Sequence, residues 1–170
     1  MNKAIHDIKE ATEEEKIWAL LEEVKDPEVP VLSVVDLGIV RSVSIRDKIN
    51  IVITPTYSGC PAMDVISMDI RLKLLEKGYK NFSVQLSLSP AWTTDWMTEN
   101  GRQKLKDYGI APPNPKQQFC HSEMFAEEAV QCPRCGSHHT KLVSQFGSTA
   151  CKSLYQCTDC KEPFDYFKCH

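Results

Sequence analysis

The chain has 170 residues, a net charge of -3 and a pI near 6.0, which fits one ordinary domain or a small domain with an appendage. That charge excludes a strong electrostatic footprint for nucleic acid or an anionic membrane, so neither is expected as a partner. No apolar run nears the ~20 residues that cross a bilayer, and "MNKAIHDIKEATEEEK" lacks a signal peptide's apolar core, so the expected address is cytoplasmic.

The first predicted element is a helix. Thr12 and Glu15 form a capping-box pattern, Glu13 and Glu14 suit the positive end of its dipole, and Ile17, Leu20, Leu21 and Val24 repeat at helical spacing. Pro27 and Pro30 of "KDPEVP" end it. "GIVRSVSI" then puts Ile39, Arg41, Val43 and Ile45 on one side, and "INIVITP" puts Ile49, Ile51 and Ile53 on one face after a short polar turn. The two read as a hairpin with one buried side.

Residues 61–77 predict a second helix, with Pro61 at its first position and Gly78 at its C-terminal cap. Met63, Ile66, Ile70 and Leu74, together with Val65, Met68, Leu72 and Leu75, give it a broad apolar face expected to be buried. "FSVQLSLS" alternates as a third strand, and the helical crossover from the second strand favours parallel, right-handed pairing. The expected fold class is α+β: a small α/β sandwich in the order helix-strand-strand-helix-strand, followed by a cysteine-rich, zinc-ribbon-like β tail. A short helix is expected after Thr94, and the proline-rich "IAPPNPKQQ" is the best boundary. The expected domains are residues 12–109 for the sandwich, 110–129 for a linker and 130–170 for the metal-binding tail.

Eight cysteines are many for this length, and seven of them lie between residues 120 and 169. In a reducing compartment such clustering favours metal ligands over disulfides. Cys132-Pro-Arg-Cys135 and Cys157-Thr-Asp-Cys160 are two CxxC knuckles with 21 residues between them, each able to bring two thiolates to one ion. A tail too small for a useful apolar core needs such a staple. Structural zinc is the expected occupant, while mononuclear iron or an iron–sulfur cluster can also use four thiolates. "TKLVSQF" and "CKSLYQ" look like hairpin strands between the knuckles. Cys151 and Cys169 either pack the ribbon or act as a second metal site or exchange ligands. Cys120, His121, His138, His139 and His170 are further candidates for such a site, the histidines read mainly as surface residues.

Cys60 stands alone in "TPTYSGCPAMD", at or next to the N-cap of the second helix, where free N–H groups would favour its thiolate. It can be read as a nucleophile, a metal ligand or a small residue in a tight turn. Nucleophilic turnover wants a base, and no histidine occurs between His6 and His121. Asp26 and Glu28 of the "DPE" turn are either solvated acids at a helix stop or a carboxylate pair that positions or receives a metal beside Cys60.

"DPEVPVLSVVDLGIV" followed by "TPTYSGCPA" resembles the domain family that includes SufT and the cytosolic iron–sulfur-targeting factors, over roughly residues 14 to 90. With "PAWTTDWM", "RCGS", "FGSTACKSLYQC" and "EPFDYFKC", most of the chain is similar to the PaaD family of 1,2-phenylacetyl-CoA epoxidase components. The resemblance implies an accessory, non-enzymatic subunit of a multicomponent monooxygenase in aerobic phenylacetate catabolism, one that helps assemble or insert iron or an iron–sulfur cluster. Its implied partners are the other epoxidase subunits, especially the iron–sulfur/flavin reductase or the di-iron subunit, with a homodimer as an option for its own assembly. It further implies cluster or metal transfer by Cys60, Asp26 and Glu28, a transient cargo of iron or a cluster, and a ribbon metal held by Cys132, Cys135, Cys157 and Cys160. The residues agree with an accessory role: there is no ExxH pair of a di-iron bundle and no GxGxxG turn. The alternative is a docking subunit with a purely structural zinc ribbon.

Overall fold

A computed structural model describes residues 11–113 and 130–168. The expectations placed on Cys120, His121, Cys169 and His170 fall outside the described residues. Helix α1 (Glu13–Glu22) begins with the predicted capping box: Thr12 Oγ1 accepts from the Glu15 amide, and Glu15 returns a carboxylate to the Thr12 amide at 2.7 Å. Ile17, Leu21 and Val24 point into the core.

Strands β1 (Val40–Ile45) and β2 (Ile49–Ile53) pair antiparallel, and β2 pairs in parallel with β3 (Phe82–Leu86). The crossover between β2 and β3 is helix α2 (Ala62–Glu76), so the predicted order of helix, strand, strand, helix, strand is the observed one. A register shift between Val40 and Ser42 breaks the simple alternation read for β1. Val40 and Val43 are buried while Arg41 and Ile45 are exposed.

The broad buried face expected of α2 is only half realised. Met63, Ile66, Ile70 and Leu74 are buried, but Val65, Met68, Leu72 and Leu75 stay exposed. A three-stranded sheet is narrow, and with α1 alongside it covers one stripe of the helix.

After β3 the chain turns through a 3-10 segment at Thr94–Trp96. Helix α3 (Glu99–Tyr108) follows, starting later than predicted because Thr98 is the cap, accepting from the Gly101 amide at 2.9 Å. The "LG" turn is held under this segment. Gly38 has φ +67, and a Cβ there would lie 2.1 Å from the Trp96 carbonyl oxygen. Only glycine fits that conformation and that contact.

The tail forms its own antiparallel sheet of β4 (Thr140–Ser144), β5 (Lys152–Cys157) and β6 (Pro163–Phe167), in that order. The hairpin agrees with the sequence reading, which does not foresee the third strand. This sheet is docked on the first body. Ala111 pairs with β6, accepting from the Phe167 amide at 2.9 Å and donating to the Asp165 carbonyl at 2.8 Å. Phe167 and Cys151 belong to the large core, and Phe167 meets Trp92 edge to face at 6.4 Å. Ile110 and Ala111, placed by sequence at the start of the linker, are buried.

Candidate functional site

Two groups of thiols carry the chemistry. In the first, Cys132, Cys135, Cys157 and Cys160 bring their sulfurs within 4.8 Å of one another. The Cys132–Cys160 and Cys135–Cys157 separations are 3.8 and 3.6 Å. Four sulfurs ~2.3 Å from a tetrahedral ion stand ~3.8 Å apart, so the set fits a four-thiolate metal site.

The Ser137 amide points at the Cys135 sulfur and the Glu162 amide at that of Cys160, which lowers each thiol, but burial and the neighbouring thiols outweigh this and push both up, Cys160 to about 12. Burial raises the Cys157 thiol, but the amides of Cys160 and Asp159 and the neighbouring thiols bring it down to about 7. Asp159 ties the knuckles together, accepting from Ser137 Oγ and lying 3.0 Å from His139 Nδ1. His139 is thus engaged with a carboxylate at the rim of the site. All four positions of the shell are filled by protein, which suits a structural ion.

The second group surrounds Cys60. Residues 57–60 make a tight turn, with the Cys60 amide donating to the Tyr57 carbonyl at 3.3 Å and Gly59 at φ +86. Helix α2 begins one residue later than predicted, with Pro61 at the cap and offering no side-chain bond. Cys60 supplies that missing partner: its sulfur accepts from the Ala62 amide and from the Tyr57 hydroxyl.

The expected low-pKa thiol is not observed. Burial raises the Cys60 thiol above its ordinary value, and Glu28 and Asp26 raise it further, outweighing the Ala62 and Tyr57 hydrogen bonds. Desolvation and two nearby carboxylates disfavour the thiolate more than a helix N-terminus favours it. Tyr57 is pushed up to about 12, first by burial and then by Cys60 and Glu28.

The two acids of the "DPE" turn do different work. Asp26 is buried, and its Oδ1 accepts from the amides of Glu28 and Val29 at 2.8 and 2.7 Å, fastening the turn. Burial pushes the Asp26 carboxyl up, partly offset by those two bonds and by Lys152. Glu28 is the acid that meets Cys151, and its charge also acts on Cys60.

Cys151, for which the sequence allows either packing of the ribbon or metal ligation, packs against the first body instead. Its Sγ lies 3.5 Å from Glu28 Oε2 and 3.0 Å from Thr149 Oγ1. Burial and Glu28 push its thiol up to about 11. No local signal in the sequence links Cys151 to residues so far away. "TACKSL" places it only in the turn just before β5. Lys152, the next residue, is buried and brings its ammonium to 3.8 Å from Asp165. At the base of the cysteine loop, Thr54 keeps a buried hydroxyl without a hydrogen-bond partner.

Two family models match separate stretches of the chain. Residues 14–85 match the family model for an iron-sulfur cluster assembly protein, and residues 116–168 match that for the PaaD zinc beta ribbon domain. An Escherichia coli protein, named as the D component of 1,2-phenylacetyl-CoA epoxidase, is 52% identical over 91% of this chain and 92% of its own length. A Porphyromonas gingivalis protein named as an Fe-S protein maturation auxiliary factor is 37% identical over 54% of this chain and 90% of its own. Among solved structures, the crystal structure of a domain of unknown function from Bacillus anthracis is similar, with a TM-score of 0.51 and 29% identity over 54% of this chain and 90% of that one.

Proposed function

Because the chain belongs to the PaaD family of 1,2-phenylacetyl-CoA epoxidase components, we propose that it is an accessory, non-catalytic subunit of that system, which helps load iron or an iron–sulfur cluster into the oxygenase or reductase subunit. The observation that carries the reading is the Cys60 turn. A thiol held by Ala62 and Tyr57 sits beside Glu28 on a turn fastened by Asp26. Cys60 takes the metal cargo as a thiolate, Glu28 supplies an oxygen donor, and Asp26 positions the turn that presents Glu28. The raised thiol releases its proton when a cation replaces it, so the thiol itself stays protonated between loads. The matches to iron-sulfur assembly and maturation proteins support this assignment.

The resident ion of the ribbon is read as zinc, held by Cys132, Cys135, Cys157 and Cys160. There it supplies structure, tying a sheet with few apolar residues of its own. The site of action is the cytoplasm, in keeping with free thiols throughout the described residues.

The test is co-expression of Cys60→Ser with the epoxidase subunits, with iron measured in the purified oxygenase and reductase. The reading expects iron to fall in one of them. Unchanged iron in both would sink it. A docking role has one specific observation in its favour: the apolar side chains of Leu142, Val143 and Phe146 are exposed on and just after β4. Capture of the other subunits by the intact chain, lost on replacing those three side chains by serine, would support that role.

A further inference from the structure

Neither knuckle uses Cys151, yet it is placed with care. It is buried in the large core, not in the ribbon's own cluster, and its Sγ lies 3.5 Å from Glu28 Oε2. Glu28 acts on Cys60 as well, and the Tyr57 hydroxyl that donates to Cys60 also responds to Glu28 and Cys151. The charge of Glu28 therefore acts on two thiols from opposite halves of the chain, and one of them, Cys151, touches it.

The Cys151 S–H donates to Glu28 Oε2, so a second thiol already faces the acid of the Cys60 turn. A cation can take the place of that proton. Two thiolates and a carboxylate are a donor set for a thiophilic divalent ion.

We propose that Cys151 joins Cys60 and Glu28 in a composite site for a thiophilic divalent metal ion, ferrous iron as cargo, built where the ribbon docks on the first body. The inference rests on the assignment of Cys60 above and adds the second thiol. Binding exchanges two protons for one ion: each S–H bond is replaced by a sulfur–metal bond, the two protons pass to water, and the Glu28 carboxylate takes a third position. Among the described residues, the ribbon cysteines are the one set with all ligand atoms within 4.8 Å. The composite site therefore has to close on its ion. A preassembled set retains its metal, whereas a set that must close can release it.

The test uses the full chain with its ribbon loaded with zinc, titrated with cobalt(II) without oxygen and read by thiolate-to-cobalt charge-transfer absorption. The intact chain is expected to bind one cobalt beyond the ribbon with the intensity of two thiolates. Cys151→Ser should halve that intensity and weaken binding by at least the ~10–100-fold that loss of an outer-shell partner costs. Glu28→Gln should keep the intensity and lower the affinity. If Cys151→Ser binds as the intact chain does while Cys60→Ser loses the band, the composite site is overturned and the Cys60 assignment stands. If the intact chain binds no cobalt beyond the ribbon, both are overturned. Zinc content reports folding of each variant; should Cys151→Ser lose its zinc, Glu28→Gln decides, and unchanged cobalt affinity there overturns the proposal.

Discussion

The Cys151 sulfur stands 3.5 Å from Glu28 Oε2, although 123 residues separate them along the chain. This contact ties the docking of the ribbon to the geometry of the "DPE" turn. It also sets how Cys60 reacts, because Glu28 acts on both thiols.

A thiol raised by burial and by Glu28 should alkylate slowly at neutral pH. With the ribbon metallated and no cargo bound, the pH–rate profile of Cys60 with iodoacetamide should lie above that of an ordinary thiol. Glu28→Gln should shift it downward. Fast alkylation at neutral pH with a profile below an ordinary thiol would contradict this placement and revive a nucleophilic role.

Asp26 offers a test of the turn. Its folded pKa is raised above the ordinary 3.8, so the folded state binds the proton more tightly than the unfolded one. That contribution to stability is full below about 3.8 and is lost as pH rises through the folded value. Asp36 has the opposite sign: despite burial, Lys104 and Ser33 hold it below 3.8, so its contribution is lost as pH falls through its folded value. Asp26→Asn should keep the acceptor for Glu28 and Val29 and remove the decline of stability above pH ~4. Asp26→Ala should cost ~1–3 kcal/mol by leaving buried amides unpaired. Chemical denaturation across pH measures both; equal stability of the two variants would contradict the fastening role.

Much of this architecture is legible in the sequence because it depends on local rules. The Thr12 capping box, the alternation of Ile49, Ile51 and Ile53 and the two CxxC knuckles each carry their signal within a few residues. What escapes is long-range. The exposure of Val65, Met68, Leu72 and Leu75 depends on how many strands the sheet has, which no local pattern states. Sequence alone points to an acidified Cys60 thiol, since the helix N-terminus is visible there and the burial and carboxylates around it are not. β6 is hidden because "EPFDYF" is too short and irregular to alternate, and its place is fixed by pairing with β5 and Ala111.

Gly38 links the "LG" turn to the 3-10 segment. Gly38→Ala adds a side chain at φ +67 and a Cβ 2.1 Å from the Trp96 carbonyl oxygen. The expected loss is ~2–6 kcal/mol from backbone strain and overpacking together. Thermal or denaturant unfolding checks it, and a loss below ~0.5 kcal/mol would contradict the close approach.

Removing the ribbon metal should open β4–β6 while the first body keeps its core. Under chelation, amide exchange at residues 152–157 and 163–167 should rise steeply and that of Ile51 should stay slow. Cys132→Ser should give the same pattern without chelator. Unchanged exchange in β5 would contradict a structural metal.

The central claim is that Cys60 carries iron to a partner. The direct measurement is transfer: load the zinc-containing chain with radioactive ferrous iron without oxygen, mix it with iron-free reductase or oxygenase subunit, separate them and count. The account predicts that iron moves to one of these partners from the intact chain and not from Cys60→Ser. Equal delivery by both chains would contradict it.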